Sequence, residues 1–98
     1  MNNRDIMFKL PAELTIAKAE AFKQILMEYV ADHDSIVIDD SEVEKIDTIG
    51  VQLLIAMITY LISINKNIEW QCKAEIIKES VIKLGINEPI LSQYFDNE

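Results

Sequence analysis

The hydrophobic period of this chain switches repeatedly between two residues and about three and a half, and that alternation limits the folds open to it. In "DIMFKL" (5–10), Ile6, Phe8 and Leu10 face one way, Asp5 and Lys9 the other, and Pro11 ends the run. Such a pattern predicts a strand. From Thr15 to about Ala31 the period lengthens. Ala19, Phe22, Leu26 and Tyr29 recur at helical spacing while Lys18, Lys23 and Gln24 point elsewhere, which predicts an amphipathic helix with Thr15 as a candidate N-cap. After the polar turn "DHDS", "IVID" (36–39) reads as a short strand, and a helix is predicted from about Ile49 to Asn65. "NIEWQCK" (67–73) alternates again. "AEIIKESVIKL" (74–84) returns to helical period, with Gly85 placed to cap its C-terminus, and a last short helix is predicted over about 87–95.

An order β-α-β-α-β-α implies a parallel sheet built from right-handed crossovers. The polar residues alternating in the first and last strands predict a sheet fully covered on only one face, because a sheet sandwiched on both faces would show nearly continuous apolar strands. The expected class is therefore α/β, with a small mixed or parallel sheet of three or four strands and helices mainly on one face. Its 98 residues suit one domain over 1–98. Half of them are hydrophobic, so folding can bury roughly two-thirds of the unfolded surface without disulfide support.

Charge and composition exclude several functions. A net charge of −8, with nine basic residues scattered along the chain, disfavours nucleic acid and anionic membrane surfaces. The longest apolar stretch, "VQLLIAMITYLISI" (51–64), is interrupted by Gln52, Thr59 and Ser63 and is shorter than the ~20 residues of a bilayer span. No direct membrane insertion is expected. A lone cysteine, Cys72, and an N-terminus without a secretory pattern suit the cytoplasm. The sole histidine, His33, reads as a solvated turn residue, and Cys72 as core. The acids Asp39, Asp40, Glu42, Glu44 and Asp47 lack calcium-loop spacing, and Gly50 and Gly85 stand apart from any phosphate-binding loop. No enzyme activity, cofactor or metal is expected, and the expected partner is another protein.

The stretch "EVEKIDTIGVQLL" (42–54) carries the functional interest. Acids give way at Thr48 and Gly50 to an apolar helix, at the carboxyl side of a strand, where open α/β sheets place their sites. If that helix begins at Ile49, Thr48 is its N-cap. The same position offers a phosphate on threonine the first-turn amides and the positive end of the helix dipole. Along the helix, Thr48, Gln52, Ala56, Thr59 and Ser63 form a weakly polar stripe. The remaining apolar arc is wider than one sheet face requires, so either another helix or another protein should cover it.

"AELTIAKAEAFKQIL" (12–26) followed by "IVIDDSEVEKIDTIGVQLL" (36–54) resembles a STAS domain, the module of bacterial anti-sigma factor antagonists. Glu13 and Leu14 match the family's first element, Asp39 and Val43 its second, and Asp47, Thr48 and Gly50 its Asp-Ser-Ser-Gly turn. Thr stands here for Ser, Ile49 for a small residue, Ala12 for Gly and Thr15 for Asp. The resemblance implies a partner switch: a serine kinase that doubles as an anti-sigma factor binds the unmodified protein, and phosphorylation at the hydroxyl aligned with Thr48 prevents binding. It implies a partner-binding surface of Asp47, Thr48, Ile49, Gly50, Val51, Gln52 and Ile55. Some other STAS proteins with Thr at this turn serve as the cytosolic subunit of phospholipid-transport ATPases, and others of the family sit in chemotaxis or stress-signalling assemblies, so that a transport ATPase or chemotaxis protein would be the partner without phosphorylation.

Overall fold

The computed structural model describes residues 7–83 and 89–95. Strand β1 (Met7–Lys9) pairs in parallel with β3 (Ser35–Asp39), which pairs in parallel with β5 (Asn67–Glu69), giving the order β1-β3-β5. Helix α1 (Ala19–Ala31) connects the first two, and α2 (Thr48–Ser63) leads into the third. Helices α3 (Glu75–Lys83) and α4 (Pro89–Ser92) follow. A fold of mixed α and β structure around a small parallel sheet is what the alternating period predicts.

The register explains why one face is covered. Phe8 lies opposite Ile38, and Ile36 opposite Ile68, so these side chains share a face. Phe8 packs its ring on Phe22 and Tyr29 of α1, at centroid distances of 5.9 and 5.3 Å. Met7, Val37 and Glu69 share the other face and line an open cleft. Burying Phe8, Ile36 and Ile38 against the helices stabilises by roughly 1.5–3 kcal/mol for each side chain.

Helix α2 is the central pillar. Val51, Leu54, Met57, Ile58 and Leu61 are buried, and both α3 and α4 pack against it, so helices of the chain itself cover most of the wide apolar arc. The weakly polar stripe of Thr48, Gln52, Ala56, Thr59 and Ser63 faces outward, as its composition requires. The helix ends earlier than its period suggests. Asn65 adopts a left-handed conformation (φ 62°), and Lys66 N–H returns to the Leu61 carbonyl at 3.0 Å, a Schellman closure that releases the chain into β5.

Several boundaries depart from the sequence expectation. A second parallel pair, β2 (Glu13–Leu14) with β4 (Lys45–Ile46), stands apart from the main sheet. Two-residue strands leave no readable period. Thr15 does not cap α1. Its side chain makes no cap bond, residues 16–18 form a 3-10 turn, and α1 begins at Ala19. The last strand stops at Glu69, and Cys72 forms only an isolated parallel bridge with Phe95. His33 lies in the turn after α1 and is half-buried. It stacks on Tyr29 (4.0 Å, interplanar 7°), and its Nδ1–H donates to the Tyr29 carbonyl at 2.8 Å. Cys72 is core, as expected. The predicted strand residues 5–6, the cap at Gly85 and the start of the last helix at 87–88 lie outside the described residues.

Candidate functional site

The turn before α2 is built by backbone bonds between segments far apart in sequence. The Ala12 carbonyl accepts from Glu44 N–H (2.8 Å) and Lys45 N–H (3.0 Å), and the Leu14 carbonyl from Asp47 N–H (3.2 Å). These bonds extend the β2–β4 pair and fix where α2 starts. Gly50 explains how closely the helix approaches. A β-carbon there would collide with the Leu14 carbonyl oxygen and sit 2.8 Å from Ile46 Cγ1, so a glycine allows α2 to rest directly on the β2 backbone.

The N-cap of α2 is Asp47, one residue earlier than the sequence suggests. Its extended backbone (φ −116°, ψ −175°) precedes the helix, and its Oδ1 accepts from Gly50 N–H at 2.8 Å. Thr48 is therefore the first helical residue, and its hydroxyl is not the cap. Both residue types suit a cap, and aspartate ranks above threonine. Asp47 has a second task. Its Oδ2 accepts from Ile16 N–H at 3.1 Å, so one carboxylate serves both α2 and the turn that precedes α1. These donors, Gly50 first and Ile16 next, hold the Asp47 carboxyl below its ordinary pKa.

Thr48 is exposed, and it lines a cleft of about 260 Å³ together with Ile46, Asp47 and Val51 and with Ser80 and Lys83 of α3. Asp47, Ile49 and Ile55 are half-buried and Gln52 is exposed, so each of these reaches solvent. Gly50 does not, and Val51 reaches it only as the floor of the cleft. Gly50 is buried against Leu14 and Val51 is 1% exposed, so both sit beneath the surface and support its shape. Small and branched apolar residues in the first turn of a helix are drawn to the core.

Asp40 plays a part that its place in an acidic run conceals. It is 3% exposed and accepts from Trp70 Nε1–H (3.3 Å), Lys73 N–H (3.0 Å) and Ala74 N–H (3.3 Å) through Oδ2. The carboxylate thus anchors the segment leading into α3, the helix that carries Ser80 and Lys83 to the Thr48 cleft. A readable signal existed: Ile36, Ile38 and Asp40 share the parity of β3, so the strand's own alternation turns Asp40 inward. The other acids disperse. Asp39 accepts from Ser41 N–H, which holds its carboxyl below the ordinary range, and Glu42 pairs with Lys9 at 3.6 Å. Among the described residues no group of three or more His, Cys, Asp or Glu is arranged to hold a metal ion. Burial, reinforced by Asp40, pushes the Cys72 thiol up to about 12, far from the range of a reactive nucleophile. No helix among the described residues is long and apolar enough to cross a membrane.

The sequence model of the family described as "Mlab, STAS domain" matches residues 1–91. The chain belongs to the STAS domain family. No curated protein matches it. STAS domains generally mediate protein–protein interaction and are generally non-catalytic.

Proposed function

We propose that this STAS domain is a non-catalytic bacterial regulatory protein of the cytoplasm, an anti-sigma factor antagonist-like partner switch. It docks a serine kinase that doubles as an anti-sigma factor, through Asp47, Thr48, Ile49, Gln52 and Ile55 with Gly50 and Val51 beneath them, and is controlled by phosphorylation at Thr48. The observation that carries this reading is the division of labour at the turn. Asp47 supplies the cap, so the exposed Thr48 hydroxyl has no capping duty and is open to a kinase. In the modification, Thr48 Oγ1 takes the γ-phosphoryl group of ATP, its proton leaves to a base of the kinase, and ADP departs. The phosphate adds ~1.5–2 negative charges beside Asp47 and Glu44 in a chain already at −8, which repels an acidic or apolar partner surface.

Incubation with a binding kinase and ATP should add one phosphate to the protein and none to Thr48→Ala. Thr48→Glu should weaken binding to that kinase while leaving Tm nearly unchanged. A kinase that binds and never phosphorylates refutes the switch. A second reading is a STAS adaptor of a phospholipid-transport ATPase, or of a chemotaxis or stress-signalling complex, that docks through the same face unmodified. Capture of a transport ATPase, or of a chemotaxis protein, with binding indifferent to Thr48→Glu, would select that branch.

A further inference from the structure

The two hydrogen bonds of Asp47 have unequal alternatives. Gly50 N–H belongs to the first turn of α2, where a phosphate on Thr48 can accept it in place of the carboxylate. Ile16 N–H lies 31 residues away in sequence, at the head of the 3-10 turn, where Thr15 offers no side-chain cap. We propose that phosphorylation of Thr48 is transmitted within the protein as release of the Ile16 turn from the Asp47 carboxylate. The inference rests on Thr48 as a phospho-acceptor and adds where the modification is read.

The reason is competition combined with repulsion. A phosphate brings ~1.5–2 negative charges and three acceptor oxygens to the residue next to Asp47. Both anions seek the same donors at the start of α2, and they repel each other. When the carboxylate swings away, Gly50 N–H exchanges one acceptor for another, while Ile16 N–H exchanges it for water. Packing of the Ile16 side chain does little to hold the turn, because that side chain is 69% exposed. The loosened turn alters the surface beside Thr48. One group opposes this: Lys83 lines the same cleft and makes no ion pair among the described residues. A phosphate drawn to Lys83 would leave Asp47 in place.

The test uses the full chain with phosphothreonine installed at position 48 during synthesis, compared with the unmodified protein and with Asp47→Ser, by amide hydrogen exchange in ¹⁵N NMR. Serine keeps one cap oxygen for α2 and has no second oxygen for Ile16, so this variant gives the exchange rate of a released turn. Ile16 exchange in the phosphoprotein should rise about tenfold, toward the Asp47→Ser rate, with Gly50 still protected. An Ile16 rate within about twofold of the unmodified protein, while Asp47→Ser accelerates it, overturns the proposal. So does an Asp47→Ser protein with unchanged Ile16 exchange. No kinase or partner enters this experiment, so its outcome is separate from that of the transfer and binding assays.

Discussion

Removing the Asp40 carboxylate should be among the most damaging single changes available to this protein. Its Oδ2 alone serves three donors, Trp70 Nε1–H, Lys73 N–H and Ala74 N–H, at 3.0 to 3.3 Å, and the residue is 3% exposed. In Asp40→Ala those donors lose their acceptor. A buried donor left unsatisfied costs about 1–3 kcal/mol. The two backbone amides regain part of that from water entering the space, which places the expected total for three donors at about 3–5 kcal/mol. Asp40→Asn is the informative companion. Its amide oxygen can occupy the place of Oδ2 and serve the same donors as a neutral acceptor, while its Nδ2 faces Lys73 N–H, which lies 3.3 Å from Oδ1. Weaker neutral bonds and one donor facing a donor predict a loss of about 1–3 kcal/mol. Trp70 is the only tryptophan and bonds the carboxylate directly, so urea unfolding followed by its fluorescence reports both stability and the local break. The midpoint should fall in the order wild type, Asn, Ala, with an unchanged m-value. A loss below about 1 kcal/mol for Asp40→Ala, the scale of a surface substitution, would refute the anchoring argument.

Three further outcomes follow from the same structure. Gly50→Ala gains about 1 kcal/mol of helix propensity but drives a β-carbon into the Leu14 carbonyl, where overpacking costs about 3 kcal/mol; calorimetry should show a lower Tm, and an unchanged or raised Tm contradicts the close approach. The Asp47 carboxyl is held low in the folded state, so its contribution is present above the ordinary carboxylate value and is lost as pH falls through the folded one. The gap in Tm between wild type and Asp47→Asn should therefore be open at pH 7 and close in acid. The Cys72 thiol, pushed up to about 12, should resist alkylation at pH 8 until the chain unfolds, and stability should decline as pH rises from the ordinary thiol range toward 12; rapid labelling of the native protein would contradict this.

What could be read from the sequence followed the range over which each signal acts. Phe8 and Leu10, or Phe22 and Leu26, announce strand and helix because several apolar residues repeat a period and all of them end in one core. Glu13–Leu14 and Lys45–Ile46 could not be read, because a two-residue strand has no period and exists only through a partner about 32 residues away. The turn before α2 was legible in type, and its cap was displaced by one position. Adjacent Asp47 and Thr48 both make good caps, and only the backbone bond from Asp47 N–H to Leu14 decides between them. Asp40 was hidden by its neighbours, since a run of acids suggests solvent while strand parity directs this one inward. Ile16 carried no local signal of its bond to Asp47, which depends on the fold alone.

The pairing of β2 with β4 has a consequence for reagents. Every residue of the turn lies within 42–54, yet the scaffold that gives the turn its shape comes from Ala12, Leu14 and Ile16. A short peptide copying 42–54 carries the whole motif and none of its acceptor carbonyls at 12 and 14. Without them the first turn of α2 must nucleate alone, which short helices in water do poorly. Such a peptide should be a poor competitor for any partner of the intact protein and a poor substrate for a kinase that reads the folded surface. An antibody raised against it should favour the denatured chain. On the proposed function, the recognition element is a conformational epitope, written in two segments of the chain.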